Sequence, residues 1–295
     1  MKSSYIIFNI IVGLYVATGS SDWGYWGDHG PAQWQGLCAT GKKQSPINIV
    51  PEKTEKADLG ALKFVRYDYA FSGNITNNGH SVQIQLIGLP IQLEGGSLPY
   101  TYILEQIHFH WPAEHTVDGD RDALEVHFVH YNEQYENVTV ASQHEDGIAV
   151  VATLFELDYE DNEGITPIVE ATELVSKWVG KSTAKMRSKV IPDLLLPKDH
   201  TTYYRYSGSL TTPGCQESVT WLILTEKLTI SEQQLKVFKN IGTDNGTLSF
   251  NYRPVQALGG RKVHHRLDGY SLATVPRSNL FFTLFSFLFI KLLLS

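Results

Sequence analysis

Apolar and polar residues alternate with a period of two through much of the middle of this chain. Val82, Ile84 and Leu86 are interleaved with Gln83 and Gln85. The run Glu125-Val126-His127-Phe128-Val129-His130-Tyr131 alternates likewise, as does Ser218-Val219-Thr220-Trp221. Successive side chains of a strand point to opposite faces, so these runs predict half-buried β-strands. Helical spacing is rarer. Ile168, Ala171, Leu174, Val175, Trp178 and Val179 recur at helical intervals behind Pro167, a residue suited to a first turn. Ser231 and Gln234 have the spacing of a capping box opening a second, short helix. Many strands with few helices predict one mainly β domain over residues 20–266, whose topology the periodicity leaves open.

The two ends break this pattern. Met1-Lys2, the apolar run Ile6 to Val16 and the small residues Ala17 to Ser20 have the order of a secretory signal peptide, expected over residues 1–19. Residues 280–295 are almost entirely Leu, Phe and Ile, short for a membrane span. Small residues precede them across a polar linker, 267–279, which is the order of a signal for attaching a glycosylphosphatidylinositol (GPI) anchor at Ser271 or Gly269. The chain is therefore expected on the outer face of the plasma membrane, joined to it through a lipid. In that oxidising setting Cys38 and Cys215 can form one disulfide, or remain two buried thiols. Asn74, Asn137 and Asn245 head N-x-T acceptor sequences for N-glycosylation. With 42% hydrophobic and 19% charged residues the chain can bury a sizeable core, and a net charge of −7 weighs against a nucleic-acid partner.

The candidate chemistry sits in Gln106-Ile107-His108-Phe109-His110-Trp111. Strand parity aims His108 and His110 at one point, and a neighbouring strand carrying Glu125 and His127 would bring a third imidazole beside them. Three neutral imidazoles leave the fourth tetrahedral position of Zn²⁺ open, as in catalytic zinc sites. Gln106 and Glu125 each lie two residues before a histidine on the same face. Each can accept the proton of the ring nitrogen that does not bind metal.

These motifs, with Glu114-His115-Thr116-Val117 and Leu124-Glu125-Val126-His127, resemble the zinc-binding core of α-class carbonic anhydrases. The resemblance extends through Trp23-Gly24-Tyr25, Gln44-Ser45-Pro46-Ile47-Asn48 and Asn77-Asn78-Gly79-His80. It continues in Ser209-Leu210-Thr211-Thr212-Pro213, Val219-x-Trp221 and Asn251-Tyr252-Arg253-Pro254. It implies the α-carbonic anhydrase fold: a large twisted, mostly antiparallel central sheet with a few short peripheral helices. It implies Zn²⁺ on His108, His110 and His127, CO₂ and bicarbonate as substrates, and inhibition by sulfonamides.

By the same resemblance, Thr211 orients the attacking hydroxide and Glu114 accepts the threonine's proton. Val129, Val150, Leu210, Val219 and Trp221 match the apolar wall for CO₂, and Thr212 a polar neighbour of bicarbonate. His80 matches the proton-shuttle histidine, with Tyr25, Asn78 and Gln83 along the water path. Strict alternation would turn His80 away from Gln83, so Gly79 is expected to bend the chain there. Cys38 and Cys215 match the disulfide of extracellular members. Gly214 stands where a second proline is frequent, an exchange expected to loosen the Thr211 loop. The segment between Trp111 and Glu114 is short, as in other members. A catalytically silent binding module of the same fold is the rival reading; the three histidines with Glu114 and Thr211 count against it. The helical H-E-x-x-H signature of another zinc hydrolase is absent.

Overall fold

A computed structural model describes residues 23–177, 183–244 and 246–269 of the chain. The expected signal peptide, the apolar tail, Ser271, the Asn245 acceptor and the helical positions Trp178 and Val179 lie outside the described residues.

Among the described residues, thirteen strands form one mixed sheet. Its centre comprises β1 (Ser72–Asn77), β2 (Val82–Ile87), β3 (Tyr102–His110), β4 (Leu124–Asn132), β5 (Ile148–Asp158), β6 (Tyr203–Gly208) and β7 (Val219–Leu224). The order is Thr183–Lys185, β1, β2, β3, β4, β5, β7, β6, then His264–Arg266 and Glu55–Lys56. The pairings β5–β7, β5 with Leu228–Ser231, and His264–Arg266 with Glu55–Lys56 are parallel; the others in this sheet are antiparallel. The mainly β expectation holds, and the longest described helix, α1 (Thr166–Val175), has ten residues. No described helix is long and apolar enough to cross a membrane.

α1 carries Pro167 in its first turn and buries Ile168, Ala171, Thr172 and Val175. Leu174, which the spacing assigns to the apolar stripe, is exposed instead. Six residues beyond Ile168 amount to about 600° of rotation, which points Leu174 off a stripe that Thr172 completes. α2 (Glu232–Lys239) opens with the predicted capping box, in which Ser231 accepts from Gln234 N.

β4, most of β5 and most of β7 are buried on both faces, a departure from the half-buried expectation, whereas β2 alternates as expected, with Val82 and Ile84 buried and Gln83 and Gln85 not. Along β4 every residue but Tyr131 is buried. Ile107, Phe109, Val126, Phe128 and Val151 face a large core that includes Ile168, Leu235 and Phe238 from the helices. Val129, Val150, Val219, Trp221 and Ile223 face a second cluster with Ile47, Ile49 and Tyr206. Alternation therefore separates two interiors, one apolar and one apolar with chemistry in it.

Candidate metal centre

The site begins with strand register. β3 and β4 pair antiparallel, with His108 opposite His127 and His110 opposite Glu125. A register shift between Leu104 and Gln106 makes Glu105 an extra residue in β3. The bulge puts Gln106, His108 and His110 on the face of Glu125 and His127, with Ile107 and Phe109 on the core face.

Each ring then turns one nitrogen outward to an acceptor. His108 Nδ1 donates to Gln106 Oε1 (2.9 Å), His110 Nδ1 to the Asn251 carbonyl (2.7 Å) and His127 Nε2 to Glu125 Oε1 (2.7 Å). Amide oxygen, carbonyl and carboxylate can only accept here, so the outward nitrogens carry the protons. The inward nitrogens, Nε2 of His108 and His110 and Nδ1 of His127, present lone pairs and lie within 4.8 Å of one another. Those of His108 and His127 are 3.1 Å apart. Zinc–nitrogen bonds of about 2.0–2.1 Å set tetrahedral ligands about 3.3 Å apart, so the spacing suits zinc. Nε2 of His110 is buried with no hydrogen-bond partner among the described residues. Converging lone pairs repel unless a cation lies between them, and three neutral imidazoles are the donor set zinc accepts.

Burial keeps all three rings neutral. It lowers His108 well below the usual histidine range, with His127 and His110 adding to it, and lowers His110 to about 4. His127 is lowered by burial against the pull of Glu125. Burial opposes the charge on Glu125 too, yet its carboxyl is held well below the usual range by His115 and His127. Its Oε1 accepts from both rings (2.7 Å each) and its Oε2 from the backbone N–H groups of Glu114 and His115 (2.8 Å each).

The three histidines open into a cavity of about 280 Å³. Val129, Val138, Val150, Leu210 and Trp221 line it with apolar surface; Asn78, His80, Gln83, Gln106 and Thr212 supply polar groups.

A family model for eukaryotic-type carbonic anhydrases matches residues 29–267. The chain belongs to that family. It is 38% identical over 259 residues to carbonic anhydrase 4 of Rattus norvegicus, covering 84% of this chain and 82% of the relative. It is 36% identical to carbonic anhydrase 6 of Mus musculus, covering 82% and 80%, and 37% identical to carbonic anhydrase 7 of Homo sapiens, covering 83% and 97%.

Most positions expected from the carbonic anhydrase resemblance meet at this cavity. Thr211 and Tyr25 line it beside the residues above. Val219 does not; it is buried in the cluster behind the wall, with Val150 and Trp221. Glu114 is fully buried, and its Oε1 accepts from Arg253 N (2.9 Å). Burial pushes its carboxyl up to about 7, against His127, the Arg253 N–H and the Thr211 hydroxyl. Glu114 Oε2 makes no hydrogen bond of regular geometry among the described residues. Tyr25 is buried, and burial, reinforced by Glu114, raises its hydroxyl well above the usual range.

His80 precedes β2 and follows Gly79, whose φ of +85° supplies the expected bend. The bend brings His80 into the cavity with Gln83. Its ring stacks on Trp23, with centroids 3.6 Å apart. Burial lowers it to about 4, below the near-neutral value that a proton relay draws on.

Cys38 and Cys215 form a disulfide with Cα atoms 5.1 Å apart. Gly214 has φ +107°, which no proline can adopt. The expected loosening is offset: Leu210 N donates to Gln216 O and Cys215 N to Thr212 O, both at 3.0 Å. The acceptor Asn74 lies mid-strand between Gln85 and Lys185, whereas Asn137 is exposed.

Sequence reasoning assigned no role to four contributors. The Asn251 carbonyl orients His110, but a backbone acceptor has no residue signature. His115 links Glu125 to the Tyr206 hydroxyl, 2.7 Å from its Nε2. Val138 is the first residue of a one-turn helix and shows no period. Trp23 was legible only as part of a family motif.

Proposed function

We propose that this chain is a zinc-dependent carbonate dehydratase acting on CO₂ and bicarbonate at the outer cell surface, held there by a lipid anchor. The carrying observation is the set of three inward lone pairs, each fixed by an outward hydrogen bond. His108, His110 and His127 would hold the metal. Zinc in such a site acidifies water, so that hydroxide is available at neutral pH. Thr211 and Glu114 stand where a hydroxyl and its acceptor select one orientation of that nucleophile. Val129, Val150, Leu210 and Trp221 exclude water from the side where an apolar gas would dock, and Thr212 offers a polar group for the charged product. His80, Tyr25, Asn78 and Gln83 line the same cavity, and in this reading they carry the proton from the metal position outward. Location rests on the sequence ends; a disulfide fits an oxidising compartment.

The purified chain should carry one zinc and hydrate CO₂ rapidly in stopped flow, with inhibition by an aromatic sulfonamide. Chelation should abolish hydration and zinc should restore it; His108→Ala should lose both metal and activity. A folded, zinc-loaded chain with no hydration would refute the enzyme reading. Phosphatidylinositol-specific phospholipase should release the protein from cell membranes, and retention would argue against this anchor.

A further inference from the structure

We infer that Asn137 carries an N-linked glycan at the rim of the histidine cavity, and that this glycan narrows the mouth for ligands larger than CO₂ or bicarbonate. The inference rests on the secretory route proposed above. Asn137-Val138-Thr139 is an acceptor tripeptide. Asn137 is exposed and extended, and caps the one-turn helix Val138–Ala141. Its Oδ1 accepts from Val140 N (3.0 Å). The cap uses the amide oxygen. It leaves Nδ2, the atom to which a glycan is joined, without a hydrogen-bond partner among the described residues.

The next residue sets the location. Val138 lines the cavity and packs against the cluster that holds Val129, Val150 and Trp221. Neighbouring Cα atoms are about 3.8 Å apart, so a glycan rooted at Asn137 starts beside the apolar wall. Asn74 lies further off: it shares the face of the cavity-lining Gln83, but its own cross-strand partner is Gln85, which lines no part of the cavity. A branched, hydrated oligosaccharide there obstructs a long ligand tail, while a triatomic gas passes. The transfer forms an Nδ2–C1 bond and breaks the C1–O bond of a lipid-pyrophosphate-linked oligosaccharide. One amide proton is lost, and the lipid pyrophosphate is the leaving group.

The test uses the full chain expressed in eukaryotic cells and purified from their membranes. Peptide mass mapping reads occupancy at Asn137. Dissociation constants are measured for a compact aromatic sulfonamide and for the same compound with a bulky tail, alongside CO₂ hydration. Each is compared before and after enzymatic deglycosylation of the folded protein, and in N137D and T139A. Aspartate keeps a capping oxygen, and T139A leaves the Asn137 cap intact, so both remove the acceptor without unfolding the helix. An occupied Asn137 is expected. Its loss should tighten the tailed compound several-fold and leave the compact one and CO₂ hydration unchanged. A bare Asn137 beside another occupied acceptor overturns the inference alone, as does occupancy with equal tailed-compound affinity. A chain bare at all three acceptors refutes the secretory route together with it. Failure of every form to bind the compact compound refutes the metal-site reading and the narrowing with it.

Discussion

His80 and Trp23 lie face to face, their ring planes within 10° of parallel. Removal from water disfavours the imidazolium, and nearby Asp244 only partly opposes this. Trp23→Ala should uncover the ring and move its pKa from about 4 toward 6.5, read by NMR titration of the imidazole protons. A value that stays near 4 would mean that other neighbours set it. At this scale the convergence of His108, His110 and His127 was legible, because strand parity and the flanking acceptors Gln106 and Glu125 are local properties of sequence. The acceptor for His110 was not. Asn251 is 141 residues away along the chain and contributes its backbone carbonyl.

α2 shows how far local sequence reaches. Ser231 accepts from Gln234 N, and Gln234 Oε1 accepts from Ser231 N, so two orphan donors at the helix start are satisfied reciprocally. Ser231→Ala should lower unfolding free energy by about 1 kcal/mol in urea titrations. CO₂ hydration should be unchanged, because α2 packs on the core face of the sheet, through Leu235 and Phe238. A loss of activity at full stability would show that the helix bears directly on the site. The capping box was readable because its two partners, Ser231 and Gln234, lie three residues apart and bond to each other. The bulge at Glu105 was not, since an extra residue is defined only against the partner strand. The second buried face of β4 escaped for the same reason: a period of two does not say what covers the polar positions.

Across the whole molecule, the disulfide joins positions 177 residues apart. Its ends hold separate parts of the chain: Arg253 Nη2 donates to Cys38 O (2.9 Å) and Gln44 Nε2 to Cys215 O (3.1 Å). Reduction removes a constraint on the unfolded chain worth about 5 kcal/mol in the loop-entropy account, so the melting temperature should fall markedly under a reductant. An unchanged melting temperature would show that the crosslink contributes no net stability.

His130 supplies a pH dependence. It is buried, accepts from the Tyr67 hydroxyl (2.6 Å) and donates to Ala149 O (3.2 Å), and burial lowers it from 6.5 to about 4. The folded pKa lies below the unfolded one, so the unfolded chain takes up the proton first as pH falls. Its contribution is intact above pH 6.5 and is lost down to about pH 4. The slope is at most about 1.4 kcal/mol per pH unit. His130→Gln should flatten the acid limb of urea-derived stability in that window, and an unaltered slope would assign it to other groups.

The sequence by itself determined strand and helix type, the capping box of α2 and which face of β3 carries His108 and His110. Each of these depends on side-chain parity or on contacts within a few residues. Only the tertiary structure decided that His108 faces His127 across β3 and β4, that Asn251 and Arg253 return to orient His110 and Glu114, and that Val138 reaches the cavity while Val219 stands behind it. Those contacts depend on register and on chain returning from more than a hundred residues away, and local periodicity carries no information about either.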